Sequence, residues 1–176
     1  DETSQSVAVA VWGNFGPTIV RLEEPAQPLH VNLRTGTVMS LVNTATGRLF
    51  AAYMPPKVVE RLLSEEISRL SYGTVQGPPV DSDTLETLLA ETRKHGLART
   101  RGQPIPGIDA LCAPVFDSAG HLVLGILVMG PAATFDSEWD GVIAGPLRQC
   151  AQEVSRRIGR DLSLIHISEP TRQAEI

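Results

Sequence analysis

The sequence has few of the residues that mark metal-binding, disulfide-bonded or membrane-spanning chains. It contains two cysteines, Cys112 and Cys150, without the paired short spacings of zinc sites or disulfide frameworks. We therefore expect two buried thiols in a reducing cytoplasm. No run of about 18 apolar residues occurs, and the chain opens with the acidic and polar residues DETSQS. These features predict neither a membrane span nor a signal peptide.

The motifs of the common enzyme classes are also missing. There is no Walker-type phosphate loop, no GxSxG, no GxGxxG after a predicted strand and no HExxH. A nucleophilic Cys112 would need a histidine base, and the hairpin predicted below places His121 out of its reach. The four histidines lie far apart on different predicted elements: His30, His95, His121 and His166. We therefore expect no catalytic residue, no metal site and no cofactor.

What the sequence does contain is an ordinary globular composition. Its 176 residues are 42% hydrophobic and 20% charged, which predicts one folded domain and excludes a disordered or fibrous chain. The 15 lysines and arginines are outnumbered by 20 aspartates and glutamates, which gives a formal net charge of -5. This charge has the wrong sign for a surface that grips phosphate backbones, so we do not expect this chain alone to bind nucleic acid.

Apolar periodicity changes along the chain from alternating to helical and back. Four stretches are predicted to be strands of an antiparallel meander: residues 7–12, 18–22, 29–33 and 37–42. Helical spacing then predicts three helices: residues 45–53, 56–72 and 82–95. Three more strands follow: residues 98–101 at a sheet edge, 108–116 and 121–130. A closing helix is expected to begin at Asp136 or Ser137 and to kink or break at Pro146.

These elements predict an α+β fold with a sheet of about six mostly antiparallel strands and helices on its faces. In the hairpin of residues 108–130, a four-residue loop pairs Phe116 with His121 and places Ala110 opposite Leu127. A slip of one residue would exchange the two faces of this hairpin. The face that we expect to pack on a long helix carries Leu111, Ala113, Val115, Leu122, Leu124, Ile126 and Val128.

The residues 43–47 join a predicted strand to a predicted helix. Free backbone N–H groups and the positive end of the helix dipole favour an anion at such a point, and Thr44 and Thr46 add hydroxyl donors. A small carboxylate fits there if its apolar body lies over the other face of the hairpin, at Ile108, Ala110, Leu127 and Met129. The alternative is a capped helix over a filled core.

Three segments together resemble the effector-binding domain of IclR-type transcriptional regulators. They are SLVNTATGRLFAAYMPP, DSDTLETLLAETRKHGLARTRGQ and PGIDALCAPVFDSAGHLVLGILVMGP, and the resemblance covers roughly residues 5–160. It implies a GAF-like fold that binds a small effector, often a carboxylate or aromatic acid. It also implies a signal to an N-terminal winged helix-turn-helix, which we expect to lie outside this chain and to make all contacts with DNA.

The resemblance implies a ligand pocket made of eleven residues. Members that bind very small carboxylates tend to carry serine where this chain has Leu127 and Met129, and an acidic residue often found near Thr100 is missing. These differences predict a larger, more apolar or aromatic acid as the effector. The pocket residues carried over are Val31, Met39, Leu41, Thr44, Ala45, Thr46, Thr100, Ile108, Ala110, Leu127 and Met129.

The same resemblance implies a cytoplasmic homodimer or tetramer without membrane contact, in which Trp12, Phe15 and Trp139 either seal subunit contacts or pack in the core. We assign residues 1–162 to the effector-binding domain and residues 163–176 to a tail of read-through sequence added in cloning. Three arginines are each either a carboxylate clamp or solvated: Arg34, Arg48 and Arg101.

Two other functions remain open at the level of sequence. One is a stand-alone GAF-like sensor or partner-docking module without a role in DNA binding. The other is an enzyme that uses Cys112 or Asp109 in the pocket, although strand alternation directs Asp109 away from the pocket face.

Overall fold

The computed structural model of the chain describes residues 5–25, 33–71 and 80–174. The strands are β1 (Ser6–Gly13), β2 (Gly16–Glu23), β3 (Ala98–Arg101), β4 (Ile108–Phe116) and β5 (Leu122–Pro131). The helices are α1 (Ala45–Tyr53), α2 (Pro56–Ser71), α3 (Ser82–His95) and α4 (Ala144–Ala174). The strands form one antiparallel sheet in the order β2-β1-β5-β4-β3. The predicted α+β class is confirmed, with five strands in the described residues where about six were expected.

The predicted strand at residues 37–42 is wrong. Val38 makes an isolated bridge to Thr18 and the chain then turns at residues 41–43. Backbone hydrogen bonds to β2 hold the first half of the segment, since the Thr37 carbonyl accepts the N–H of Ile19 at 2.9 Å and Met39 donates to the Pro17 carbonyl at 2.7 Å. The second half is held by a side chain, because the Glu66 carboxylate on α2 accepts the N–H groups of Leu41 and Val42 at 3.0 and 2.9 Å. Most of the other predicted strand of the meander, at residues 29–33, lies outside the described residues.

The hairpin of β4 and β5 has a register two residues away from the predicted one. Ala110 lies opposite Met129 instead of Leu127. One residue of the difference comes from the loop, since Phe116 pairs with Leu122 and not with His121, and the other comes from an irregularity between Val115 and Phe116. Beyond the irregularity, on the side away from the loop, the register differs from the prediction by an even number of residues. Every side chain there therefore lies on its predicted face.

Each face of the sheet is covered by a different helix. One face packs on α1 through a cluster that includes Leu49 and Phe50. The other face packs on α4, as predicted, with Leu147 and Ala151 as its buried contacts. Leu122 is the exception to the prediction, because it packs on the α1 side, beyond the irregularity in the register.

Helix α4 begins at Ala144, so the predicted start at Asp136 or Ser137 is wrong. The carboxylate of Asp136 accepts the N–H groups of Glu138 and Val142 and stabilises a turn at that point. Pro146 therefore lies in the first turn of α4, where a missing N–H breaks no hydrogen bond within the helix. The predicted break at Pro146 is in fact the beginning of the helix.

The two cysteines differ in exposure. Cys112 is fully buried under α1, and burial raises the pKa of its thiol to about 12. The Thr46 hydroxyl lies close to the thiol and lowers this pKa in part, although the two groups do not meet the geometry of a hydrogen bond. Cys150 is exposed on α4, so the prediction of two buried thiols is wrong for that residue. A thiol held in its protonated form is a poor nucleophile, which makes Cys112 unsuited to covalent catalysis.

Candidate ligand-binding site

The start of α1 is held down by its capping residue, Thr44. This residue has extended backbone angles (φ -114°, ψ 152°), and its hydroxyl oxygen accepts the N–H of Gly47 at 2.8 Å. The same hydroxyl donates to the carbonyl of Ser40 at 2.6 Å. The Thr44 hydroxyl is thus already used inside the protein, and its role is to join the helix to the loop of residues 40–43.

Gly47 allows the first turn of α1 to lie directly on that loop. A Cβ atom at this position would be 1.7 Å from the carbonyl oxygen of Ser40 and 2.6 Å from the Cα of Leu41. No side chain other than hydrogen fits such a space. The close approach buries the helix start, so that Ala45 and Thr46 are both at most 1% exposed.

Three polar side-chain atoms near the start of α1 are buried without a hydrogen-bond partner among the described residues. They are Oγ1 of Thr46 and both Oδ1 and Nδ2 of Asn43. Thr46 is 0% exposed and Asn43 is 1% exposed, so neither side chain is solvated. Buried polar atoms of folded proteins are nearly always paired, and leaving one unpaired costs about 1–3 kcal/mol. Three such atoms at one point are the feature that distinguishes this site.

The sheet under the start of α1 is lined with small and apolar side chains. Ala110 lies between Met129 on β5 and Thr100 on β3, and all three side chains are buried. Ser6 on β1 lies on the other side of Met129 and is 2% exposed. This row runs across four strands and combines an apolar centre with a hydroxyl at each end.

Part of the set of residues that the resemblance assigned to a ligand pocket packs together in the structure. Six of the residues belong to one apolar cluster: Met39, Ala45, Ile108, Ala110, Leu127 and Met129. Leu41 packs in a different cluster, against Leu85 and Leu89 of α3. Thr100 pairs across the strands with Ala110, whereas Val31 lies outside the described residues.

The arginines considered as ligand clamps have other partners. Arg48 is 7% exposed and donates to the carbonyl oxygens of Val42 and Arg99 at 2.8 and 3.2 Å. Burial lowers the pKa of Arg48, and the negative charge of Glu91 opposes this effect. Arg101 is bound by Ser137 and Glu138, and Arg34 is exposed. Arg48 therefore ties the loop before α1 to the edge of the sheet.

Sequence reasoning missed the unpaired amide of Asn43 at this site and was right about the direction of Asp109. Asn43 was recognised only as part of the helix start, because nothing in the sequence shows that its amide is buried and unpaired. Asp109 does point away from the pocket face, and its carboxylate accepts the N–H of Gly102 at 2.9 Å and the Ser137 hydroxyl at 3.2 Å. It holds the loop after β3, which is a structural role.

Across the described ranges, no three histidine, cysteine or acidic side chains form a group that could hold a metal ion. Within those ranges, none of the helices has the length and apolar character needed to cross a membrane.

Comparisons with known proteins identify what this chain is similar to. The family model for the C-terminal part of the bacterial transcriptional regulator IclR matches residues 1–156. The chain is 25% identical over 159 residues to the uncharacterized HTH-type transcriptional regulator RhmR of Escherichia coli, with 90% of this chain and 60% of RhmR covered.

Two solved structures agree with this result. HmgR of Pseudomonas aeruginosa is 33% identical with a TM-score of 0.78, and the match covers 89% of this chain and 60% of that one. IclR of Thermotoga maritima is 26% identical with a TM-score of 0.73, covering 89% and 62%. The chain therefore spans about three fifths of the proteins it matches.

Proposed function

The chain belongs to the IclR family of bacterial transcriptional regulators as a C-terminal effector-binding domain, and we propose that its effector is a small organic acid held at the start of α1. The observation that carries this proposal is the group of unpaired buried atoms on Asn43 and Thr46. A carboxylate placed there would accept from the Thr46 hydroxyl and from the Asn43 amide. The positive end of the α1 dipole adds to the attraction.

The floor of the site favours an acid with an aromatic or otherwise apolar body. Met129, Leu127 and Ala110 present no hydrogen-bonding groups on the sheet below α1. A polar keto acid would lose its solvation over these side chains without gaining hydrogen bonds, which is unfavourable. An apolar ring gains free energy from leaving water, and methionine adapts to flat ligands.

The proposed output of effector binding is a change in the DNA affinity of a winged helix-turn-helix outside this chain. An effector changes this affinity only if it binds one conformation or assembly of the regulator more tightly than another. We propose that the assembly is a cytoplasmic homodimer or tetramer. Phe15 supports self-association because it is 78% exposed, whereas Trp12 stacks on Phe50 and Trp139 packs partly against the α4 cluster.

A thermal-shift screen tests the proposal with three classes of acid: small keto acids, dicarboxylates and hydroxylated aromatic acids. A ligand that binds only the native state stabilises it by about 2.7 kcal/mol at a hundred times its dissociation constant. We expect a dose-dependent rise of the melting temperature with the aromatic acids. If small keto acids displace the aromatic ones, the apolar assignment fails. If no acid raises the melting temperature, the organic-acid proposal fails and a partner-docking module becomes the better interpretation.

A further inference from the structure

A second cleft lies away from the start of α1. It is bounded by the end of α3, the last residues of β4 and the first turns of α4. Its volume is about 520 Å³. Tyr53, at the other end of α1 from Thr46, forms part of its wall. The volume is in the range of small-molecule sites, which are usually clefts of about 300–1,000 Å³.

The charge of this cleft is opposite to that of the chain. Its lining includes Arg93, Lys94 and Arg148 but no aspartate or glutamate, although acidic residues outnumber basic ones by 20 to 15 in the sequence. Arg93 and Lys94 make no ion pair with a carboxylate in the part of the chain that the structure describes. The nearest acidic partner of Arg148 is Asp140, at 3.9 Å and fully exposed. The cleft therefore holds the positive charges of Arg93 and Lys94, which no ion pair among the described residues balances.

Hydrogen bonds to backbone carbonyls hold two of the cations in position. Arg148 donates to the carbonyl of His95 through Nη2 at 2.9 Å and through Nε at 3.3 Å. Arg93 donates through Nε to the carbonyl of Ala52 at 3.0 Å. A neutral carbonyl orients a guanidinium group without cancelling its charge. These groups are thus partly ordered before any ligand binds, which reduces the entropy lost on binding.

The strand edge beside the cleft is closed to an added peptide strand. β3 pairs with β4 only as far as Cys112, so the later residues of β4 have no neighbouring strand on that side among the described residues. Pro114 has no N–H to donate, and the N–H of Phe116 is bound by the Ser155 hydroxyl at 3.0 Å. Both features favour a small ligand over a peptide that extends the sheet.

The cleft also offers an aromatic wall. The rings of Tyr53 and Phe116 meet edge to face, with centroids 5.3 Å apart and an interplanar angle of 78°. Aromatic rings pack favourably on such a pair. We propose that this cleft is a second ligand site, which takes a small organic anion with an aromatic ring, such as an aryl phosphate or aryl carboxylate. The anionic group lies against Lys94, Arg93 and Arg148, and the ring lies against Tyr53 and Phe116.

Titration calorimetry of the 176-residue chain with phenyl phosphate, inorganic phosphate and phenol tests this assignment. The diagnostic variant is Lys94→Glu, because Lys94 is exposed and its replacement breaks no hydrogen bond in the described structure. The matched control is Lys57→Glu, an exposed lysine on α2 outside the cleft. We expect Lys94→Glu to weaken phenyl phosphate binding by about tenfold or more and Lys57→Glu to leave it unchanged.

We also expect phenyl phosphate to bind more tightly than either inorganic phosphate or phenol, and Thr46→Val to leave its affinity unchanged. Equal weakening by Lys94→Glu and Lys57→Glu overturns the proposal, because it indicates attraction by overall charge. Equal affinity for phosphate and phenyl phosphate overturns the role of the ring. Loss of binding in Thr46→Val overturns the second site and assigns the probe to the start of α1.

Discussion

Replacing Gly47 with alanine is expected to destabilise the chain by about 3 kcal/mol or more, or to prevent folding. The added Cβ would lie 1.7 Å from the carbonyl oxygen of Ser40, which is far inside contact distance. That oxygen cannot move easily, because it accepts the Thr44 hydroxyl and belongs to a segment held by Glu66. Helix α1 would have to lift away from the loop. Urea denaturation followed by circular dichroism measures the loss.

Gly145→Ala is the matched control. Gly145 is also helical, but nothing lies within 4 Å of where its Cβ would be. Alanine in place of glycine in a helix normally stabilises by roughly 0.5–1 kcal/mol. The same chemical change is therefore expected to have opposite signs at the two positions. If both variants unfold at the same urea concentration as the parent chain, the close packing of α1 on residues 40–43 is not real.

Replacing Arg48 with methionine is expected to lower the free energy of unfolding by about 2–4 kcal/mol. Methionine fills similar space but donates no hydrogen bond. The buried carbonyl of Val42 and the partly buried carbonyl of Arg99 would each lose the hydrogen bond from Arg48, and the loop before α1 would lose its tie to β3. Lysine at this position has one nitrogen and cannot reach both carbonyls. The free energy of unfolding of Arg48→Lys should therefore lie between those of the parent chain and Arg48→Met.

Arg61→Met provides the comparison for Arg48→Met. Arg61 is exposed on α2, where its contact with Glu65 is 3.8 Å long. An exposed pair of this kind contributes at most about 0.5 kcal/mol. Chemical denaturation of the two variants side by side separates loss of a buried clamp from loss of a surface charge. Equal effects would contradict the clamp.

The regular elements were predictable because they depend on local patterns. The apolar stripe of α4, with Leu147 and Ala151, follows the helical period and is buried. Asp81 caps α3 and Gly96 ends it in the left-handed conformation, as their residue types indicate. Alternation along β4 and β5 assigned most side chains to the correct face even though the register was wrong by two residues.

The features that could not be predicted from the sequence depend on contacts between residues that are far apart along the chain. Residues 37–42 have the composition of a strand, but Glu66, more than 20 positions later, binds the N–H groups of Leu41 and Val42 from α2. The irregularity beside Val115 carries no mark in the residue types around it. Asn43 and Thr46 are ordinary helix-start residues until the fold buries them without partners. The distinguishing property of the candidate site is therefore a tertiary one.

The most direct test of the proposed effector site is to measure two quantities on the Thr46→Val variant: its free energy of unfolding and its affinity for the acid. Valine has the shape of threonine without the unpaired hydroxyl, so we expect the free chain to become more stable by about 1 kcal/mol or more. The affinity for the strongest aromatic acid should fall by about tenfold, as expected for the loss of one charge-assisted hydrogen bond.

Thr92→Val serves as the control, because the buried Thr92 hydroxyl already donates to the carbonyl of Leu88 at 2.9 Å. That variant should gain no stability and should bind the acid as the parent chain does. Opposite changes in stability and affinity at Thr46, and neither at Thr92, are the predicted result. An acid that binds Thr46→Val as tightly as the parent chain would contradict the account, since the effector would then not use the atoms that the fold leaves unpaired.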